Sequence, residues 1–121
     1  MSQRILVVED QEDNRQIMRD LLTSAGYEMI EAIDGEQGVA LAAQHKRDLI
    51  LMDIQLPLVD GYEATRRIKA QAALAAIPII AVTSYALSGD DQKAFAAGCD
   101  GYVTKPFSPR QLLAKIREHL T

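Results

Sequence analysis

The sequence has few of the features that mark secreted, membrane or nucleic-acid-binding proteins. Its single cysteine, Cys99, cannot form an internal disulfide, so a cytoplasmic location is expected. Its net charge of −4 argues against a nucleic-acid partner, because such proteins present a basic surface to phosphates. The longest apolar stretch, residues 72–82, is too short to span a bilayer and contains a proline. Residues 1–4 lead directly into a predicted strand, so we expect neither a signal peptide nor membrane insertion.

The sequence does contain a regular alternation of two patterns. Apolar strand patterns alternate with amphipathic helical patterns five times, which predicts an α/β protein built from five βα units. The length of 121 residues suits a single domain over residues 1–121, and no repeat or linker interrupts it. Strands are predicted at residues 4–9, 28–32, 48–53, 77–83 and 100–104, and helices at residues 12–25, 35–45, 61–71, 88–97 and 109–120.

Strand composition predicts a parallel sheet that is covered on both faces. Residues 48–53 and 77–83 are nearly all apolar, as expected for strands between two layers of helices. Residues 28–32 mix polar and apolar side chains, which is typical of an edge strand. Helix ends are marked as well: Ser108 with Gln111 forms a capping box, Asp60 with Glu63 forms a similar pair, and Gly98 is placed to end the fourth helix.

Polar groups follow the apolar strands at the points where the strands end. The first strand ends in Glu9 and Asp10, the third in Asp53 and the fourth in Thr83, and Lys105 follows the fifth. Because right-handed crossovers bring the ends of parallel strands to one edge of the sheet, we expect the three carboxylates to converge if the first and third strands are neighbours. Two like charges about 4 Å apart cost about 4 kcal/mol at an effective dielectric of about 20, so the cluster requires a shared proton or a cation.

The types of group at this edge indicate an ion and a reaction. Oxygen ligands without a nearby histidine or thiol favour a hard cation, which predicts Mg²⁺. Magnesium accepts one or two carboxylates directly and leaves positions for phosphate oxygens. Lys105 can pair with one phosphoryl oxygen, and the hydroxyl of Thr83 can donate a hydrogen bond to another. A carboxylate nucleophile with these groups around it is suited to phosphoryl transfer to an aspartate.

Over essentially the whole chain, these residues resemble the receiver domain of bacterial two-component response regulators. The resemblance is carried by Val8-Glu9-Asp10, by Leu49–Pro57 with Asp60-Gly61, by Val82-Thr83-Ser84 and by Gly101–Phe107. Within the family, Met52–Pro57 is most similar to free-standing receivers of the DivK and chemotaxis types and to the receivers of hybrid kinases. The resemblance implies a flavodoxin-like (βα)5 fold with a doubly wound, parallel five-stranded sheet in strand order 2-1-3-4-5.

The resemblance also implies roles for the residues at the strand ends. Asp53 would accept a phosphoryl group from a phosphohistidine on a sensor histidine kinase or a histidine phosphotransfer protein. Asp10 and Asp53 would bind Mg²⁺ directly, together with the backbone carbonyl of Gln55, and Glu9 would act through metal-bound water. Lys105 would pair with the aspartate and then with its phosphoryl group.

Phosphorylation would then change a protein-binding surface. Thr83 would move onto the phosphoryl group, and Tyr102 would swing inward into the space that is vacated. The face formed by helix 4, strand 5 and helix 5 would pass the signal to a downstream protein, with the receiver as a monomer or a phosphorylation-linked dimer. Tyr85 could shield the acyl phosphate from water, and the isomer of the Lys105–Pro106 peptide is left open. Such a switch is not expected to be a turnover enzyme.

Three other functions fit the sequence less well. A haloacid-dehalogenase-type phosphatase also forms an aspartyl phosphate, but it carries a second aspartate at the position that Gln55 occupies here. A flavin-binding electron carrier shares the topology, but residues 9–13 are mostly acidic and would repel the cofactor's phosphate. A phosphorylation-independent interaction module is disfavoured because every position of the switch carries a suitable residue.

Overall fold

The computed structural model describes residues 3–44, 47–83, 90–105 and 107–120, and all five predicted strands and five predicted helices are found there. The strands are β1 (Arg4–Val8), β2 (Glu28–Ala32), β3 (Leu49–Asp53), β4 (Ile79–Thr83) and β5 (Gly101–Thr104). The helices are α1 (Glu12–Ser24), α2 (Gly35–Gln44), α3 (Gly61–Lys69), α4 (Asp90–Ala97) and α5 (Pro109–Leu120). A short 3₁₀-helix (Ala72–Leu74), which the sequence analysis did not predict, lies between α3 and β4.

The five strands form one parallel sheet in the order β2-β1-β3-β4-β5, which confirms the predicted fold class and places β2 at an edge. Val8 is level with Ala32 on one side and with Met52 on the other. Further across the sheet, Asp53 is level with Val82. The carboxyl ends of β1, β3 and β4 therefore finish side by side, because neighbouring strands are parallel and in this register.

The core consists of two apolar layers, one on each face of the sheet. One layer joins alternate strand residues such as Val7 and Leu51 to the buried side chains of α1 and α5. The other joins residues such as Val8 and Met52 to α2, α3 and α4. Every residue of β3 and β4 is buried, which accounts for their nearly continuous apolar sequences. Among the described residues, no helix has both the length and the apolar character needed to cross a membrane.

Helix ends follow the local signals in the sequence. Gln111 N donates to Ser108 Oγ at 3.1 Å, and Ser108 N donates to Gln111 Oε1 at 3.2 Å, which completes the predicted capping box of α5. Asp60 accepts from the backbone N–H of Glu63 at 2.9 Å and caps α3, while the Glu63 carboxylate pairs with arginines of its own helix. Gly98 ends α4 with φ of +112°, a conformation that disfavours residues with a side chain.

Candidate active site

The sheet brings three carboxylates together at its carboxyl edge. Glu9 directly follows β1, Asp10 comes next, and Asp53 is the last residue of β3. One oxygen from each of the three lies within 4.8 Å of the others. Glu9 and Asp53 are buried, with 0% and 3% of their surface exposed, while Asp10 is half-buried. The geometric convergence expected from the sequence is therefore present in the structure.

Glu9 is held by hydrogen bonds to its side chain and to its backbone. Its Oε1 accepts from Lys105 Nζ at 2.7 Å, and its Oε2 accepts from the backbone N–H of Gln11 at 3.1 Å. Its own backbone N–H donates to the carbonyl of Ala32 at 3.0 Å. Both carboxylate oxygens therefore already have donors from the protein, an arrangement that suits an outer-sphere role better than direct binding of a metal.

Lys105 supplies the positive charge of the site. Its backbone N–H donates to the carbonyl of Thr83 at 2.7 Å, which anchors the residue next to the end of β4. Its Nζ lies 2.7 Å from Glu9 and 3.4 Å from the Oδ2 of Asp53. The lysine therefore reaches the aspartate, as the family resemblance implies, but its shorter contact is with Glu9.

The end of β3 is held in place by close backbone packing. Asp53 Oδ1 accepts from the backbone N–H of Gln55 at 3.0 Å. The N–H of Gly61, the first residue of α3, donates to the carbonyl of Ile54 at 3.0 Å. A Cβ atom on Gly61 would lie 2.3 Å from the backbone oxygen of Asp53, so only glycine lets the helix approach this closely.

The surroundings of the three carboxyl groups raise the pKa of two of them and lower the pKa of the third. Burial, followed by the negative charge of Glu9, raises the pKa of Asp53 to about 7. Burial acts to raise the pKa of Glu9 too, but hydrogen bonds from Lys105 and Gln11 outweigh it and hold that pKa below its ordinary value. Burial and then Glu9 raise the pKa of Asp10. Without a cation, Asp53 therefore gains or loses its proton near pH 7.

The remaining predicted residues lie at or near the same edge. Thr83 ends β4 and is fully buried, one position after the residue that is level with Asp53. Gln55 is half-buried in the loop after β3. Tyr102 is half-buried in β5, where it packs against the core layer beneath α2, α3 and α4. The predictions for Ser84, Tyr85 and the Lys105–Pro106 peptide fall outside the described residues.

The predicted output face contains a shallow cleft beside β5. The cleft has a volume of about 320 Å³ and is lined by residues of β5 and α5, among them Tyr102, Gln111 and Lys115. A change in the position of the Tyr102 ring would alter the shape of this cleft directly.

Two residues shape the site although the sequence alone gave neither of them a structural role there. Arg15 of α1 donates from Nη1 to the backbone oxygen of Glu9 at 2.8 Å. Gly61 permits the contact between α3 and the end of β3 described above. The spacing of Glu12 and Arg15 is a signal for an ion pair within the helix, but nothing local indicates that the arginine also reaches the site.

Comparison with known proteins gives a consistent result. A family model described as "response regulator receiver domain" matches residues 5–117. The polar-differentiation response regulator DivK of Brucella anthropi is 42% identical over 120 residues, which cover 99% of this chain and 98% of the relative. DivK of Brucella suis shows the same identity and coverage.

Solved structures of receiver proteins have the same fold. The receiver domain of a sensor histidine kinase from Pseudomonas aeruginosa, which holds a magnesium ion in its active-site cleft, superimposes with a TM-score of 0.92 at 40% identity, covering 99% of this chain and 98% of that one. The chemotaxis protein CheY4 of Vibrio cholerae superimposes with a TM-score of 0.93 at 30% identity, covering 99% and 100%. The chain belongs to the response regulator receiver family, the phosphoacceptor switches of two-component signalling.

Proposed function

We propose that Asp53 is the phosphoacceptor of this receiver and that Lys105, Thr83 and the neighbouring carboxylates assist the transfer. One observation carries this proposal: a buried aspartate at the end of β3 lies within 4.8 Å of Glu9 and Asp10 and within 3.4 Å of a lysine ammonium group. Burial of a carboxylate beside other carboxylates costs free energy and is typical of functional sites.

We further propose that the site binds Mg²⁺ through Asp10, Asp53 and the backbone carbonyl of Gln55. An all-oxygen donor set fits a hard cation, and a related receiver domain holds magnesium in its cleft. Glu9 would contribute through an intervening water, because Lys105 and Gln11 already donate to both of its oxygens. When bound, the ion would offset the negative charge of the carboxylates and of an incoming phosphoryl group.

The reaction is a displacement at phosphorus. An oxygen of Asp53 attacks the phosphorus of a phosphohistidine, the new O–P bond forms as the P–N bond breaks, and the imidazole nitrogen leaves with the electron pair and takes up a proton. Lys105, which is tethered to Glu9, is close enough to pair with an oxygen of the transferred group. Lys105 is held by Glu9, and Asp53 is held by the backbone N–H of Gln55. Both groups are therefore oriented before the donor arrives, which lowers the entropic cost of the transfer.

The switch would follow from the new charge on Asp53. A phosphoryl group offers acceptors for the hydroxyl of Thr83, and movement of that residue would open space for Tyr102. The helix 4–strand 5–helix 5 face would then bind a downstream protein, with the receiver as a monomer or a phosphorylation-linked dimer. We infer that a histidine kinase or histidine phosphotransfer protein is the donor and that no nucleic acid is bound.

We also propose a single receiver domain over residues 1–121 that acts in the cytoplasm as a switch and not as a turnover enzyme. Slow hydrolysis of its own acyl phosphate would reset it. A phosphatase of the haloacid dehalogenase type would require an acid at the position of Gln55, whose side chain cannot supply a proton. A phosphorylation-independent module would have no need for the Lys105–Glu9–Asp53 arrangement.

Labelling with acetyl phosphate tests the proposed function. Intact-protein mass spectrometry should show one added phosphoryl group that requires Mg²⁺ and is lost in Asp53→Asn. Asp60→Asn is the matched control: it removes a carboxylate from the same loop, and asparagine keeps the N-cap of α3. Labelling that persists in Asp53→Asn, or that disappears equally in Asp60→Asn, would contradict the assignment.

A further inference from the structure

The peptide group between Glu9 and Asp10 is held by a side chain from outside the carboxylate cluster. Arg15 Nη1 donates to the backbone oxygen of Glu9 at 2.8 Å. That oxygen is part of the planar and rigid peptide group that joins Glu9 to Asp10. The guanidinium therefore fixes the direction in which Asp10 leaves β1.

Arg15 is itself held in place. Only 12% of its side-chain surface is exposed. Its Nη2 lies 2.5 Å from Glu12 of the same helix, and its Nε lies 3.3 Å from Glu31 of β2. Glu31 is in turn held by Arg19, which donates to both of its oxygens at 2.9 and 2.6 Å. Carboxylates of α1 and β2 therefore orient the planar guanidinium group of Arg15, which donates to Glu9.

We propose that Arg15 is a positioning residue that orients Asp10 for binding of the divalent cation. This inference rests on the proposed function, because it assigns a residue to the metal site proposed there. Removal of an outer-sphere partner of a metal ligand typically weakens binding by about 10- to 100-fold. The charge of Arg15 acts in the opposite direction, since a cation near the site repels another cation. If removal of Arg15 lowers the affinity for Mg²⁺, its positioning role dominates; if removal raises the affinity, its charge dominates.

The test compares Arg15→Gln with Arg19→Gln. Both substitutions remove one positive charge from α1 and one partner of Glu31, but only Arg15 donates to Glu9. Isothermal titration with Mg²⁺ should show that Arg15→Gln weakens binding by about tenfold. Arg19→Gln should leave the affinity close to that of the unaltered protein. Thermal unfolding of the two variants measures their shared structural effect.

A second readout does not depend on the metal. In amide NMR spectra of the metal-free protein, Arg15→Gln should shift the signals of Asp10 and Gln11, and Arg19→Gln should leave them in place. Arg15→Lys keeps one donor but loses the fork, so its affinity should fall between those of the unaltered protein and Arg15→Gln. If Arg15→Gln does not fold, the lysine variant decides the comparison.

The two proposals fail in different ways. If the unaltered protein neither binds Mg²⁺ nor accepts a phosphoryl group, the proposed function is wrong. If it does both, but Arg15→Gln binds Mg²⁺ as tightly as Arg19→Gln or more tightly, the positioning role is wrong. Unchanged Asp10 and Gln11 amide signals in Arg15→Gln would also overturn it.

Discussion

Gly61 contacts the backbone of Asp53 so closely that a Cβ atom would lie 2.3 Å from the Asp53 carbonyl oxygen. This contact joins the start of α3 to the tip of β3. Gly35 has an equally close approach, in which a Cβ atom would lie 2.3 Å from the oxygen of Val59, but that contact involves the outer part of the loop after β3. The two glycines therefore offer a matched pair for testing how precisely Asp53 must be placed.

Gly61→Ala should slow phosphorylation by acetyl phosphate much more than Gly35→Ala. Each substitution forces backbone atoms apart and should lower the free energy of unfolding by about 1–3 kcal/mol. Only Gly61→Ala displaces Asp53 itself, and a misplacement of about 1 Å can cost about 100-fold in rate. Initial rates at saturating Mg²⁺, measured beside urea unfolding curves, check this. Equal rates in two folded variants would show that the Gly61 contact does not place the phosphoacceptor.

The raised pKa of Asp53 makes the stability of the metal-free protein depend on pH. The pKa rises from 3.8 to about 7, so the folded state holds a proton more tightly than the unfolded state does. The resulting stabilisation is complete below the unfolded pKa and is lost as pH rises through about 7. Asp53→Asn removes this loss and should be more stable than the unaltered protein above pH 7. The difference should be on the order of 2 kcal/mol, less than the full pKa shift implies, because Glu9 and Lys105 readjust when Asp53 ionises.

Urea unfolding of both proteins in a chelator at several pH values measures that difference. This gap in the free energy of unfolding between the two proteins should shrink on acidification and be smallest near the ordinary pKa of an aspartate, about 3.9. Mg²⁺ should narrow the gap at high pH, because the ion stabilises the ionised form of the unaltered site. A gap that is independent of pH would show that Asp53 is not the group with the raised pKa.

Leu58 lies at the centre of a strained turn, and its side chain is almost fully exposed. Its φ is +67°, the N–H of Val59 donates to the carbonyl of Pro57 at 2.8 Å across it, and 98% of its surface is exposed. This is a γ-turn with positive φ, a rare and strained form for a residue with a Cβ atom. Leu58→Gly should raise the free energy of unfolding by about 1 kcal/mol.

Leu58→Ala is the control for that prediction. Alanine keeps the Cβ atom and therefore the strain, while it removes the same exposed apolar surface. Thermal and urea unfolding should show a gain for glycine and little change for alanine. A gain of equal size in both variants would attribute the effect to the exposed leucine side chain and not to the backbone.

Cys99 should be inert in the folded protein. It is 5% exposed, its sulfur lies 3.7 Å from the hydroxyl of Thr65, and burial raises the pKa of its thiol to about 11. Because the thiolate is the reactive form, alkylation by iodoacetamide at neutral pH should be about 100-fold slower than in the unfolded chain. Mass spectrometry in buffer and in denaturant measures both rates. Rapid alkylation without denaturant would show that the α3–α4 side of the core opens readily.

Local patterns in the sequence predicted most of the fold. Apolar periodicity located the five strands and five α-helices. The convergence of Glu9, Asp10 and Asp53 also required β1 and β3 to be neighbours, and that strand order came from the family resemblance. Ser108 and Gln111 formed the cap expected from residues three positions apart. The elements and the cap were predictable because they depend on neighbours in sequence, and the convergence was predictable because the resemblance supplied the strand order.

Other features depend on how elements approach one another, which the sequence does not encode locally. Lys105 Nζ lies 2.7 Å from Glu9 and 3.4 Å from Asp53, and these distances are set by how residue 105 approaches the ends of β1 and β3 in the fold. The contact of Arg15 with Glu9 requires α1 and β2 to pack together around Glu31. The positive φ of Leu58 is set by closure of the loop after β3, and leucine itself gives no signal of it.

The most direct test of the account is to locate the phosphoryl group on the chain. Protein labelled with acetyl phosphate and Mg²⁺ is reduced with borohydride, which converts an aspartyl phosphate to homoserine, and is then digested and sequenced by mass spectrometry. The account predicts homoserine at position 53 and at no other aspartate. Homoserine at Asp10 or another carboxylate, or a labelled protein with Asp53 intact, would contradict it.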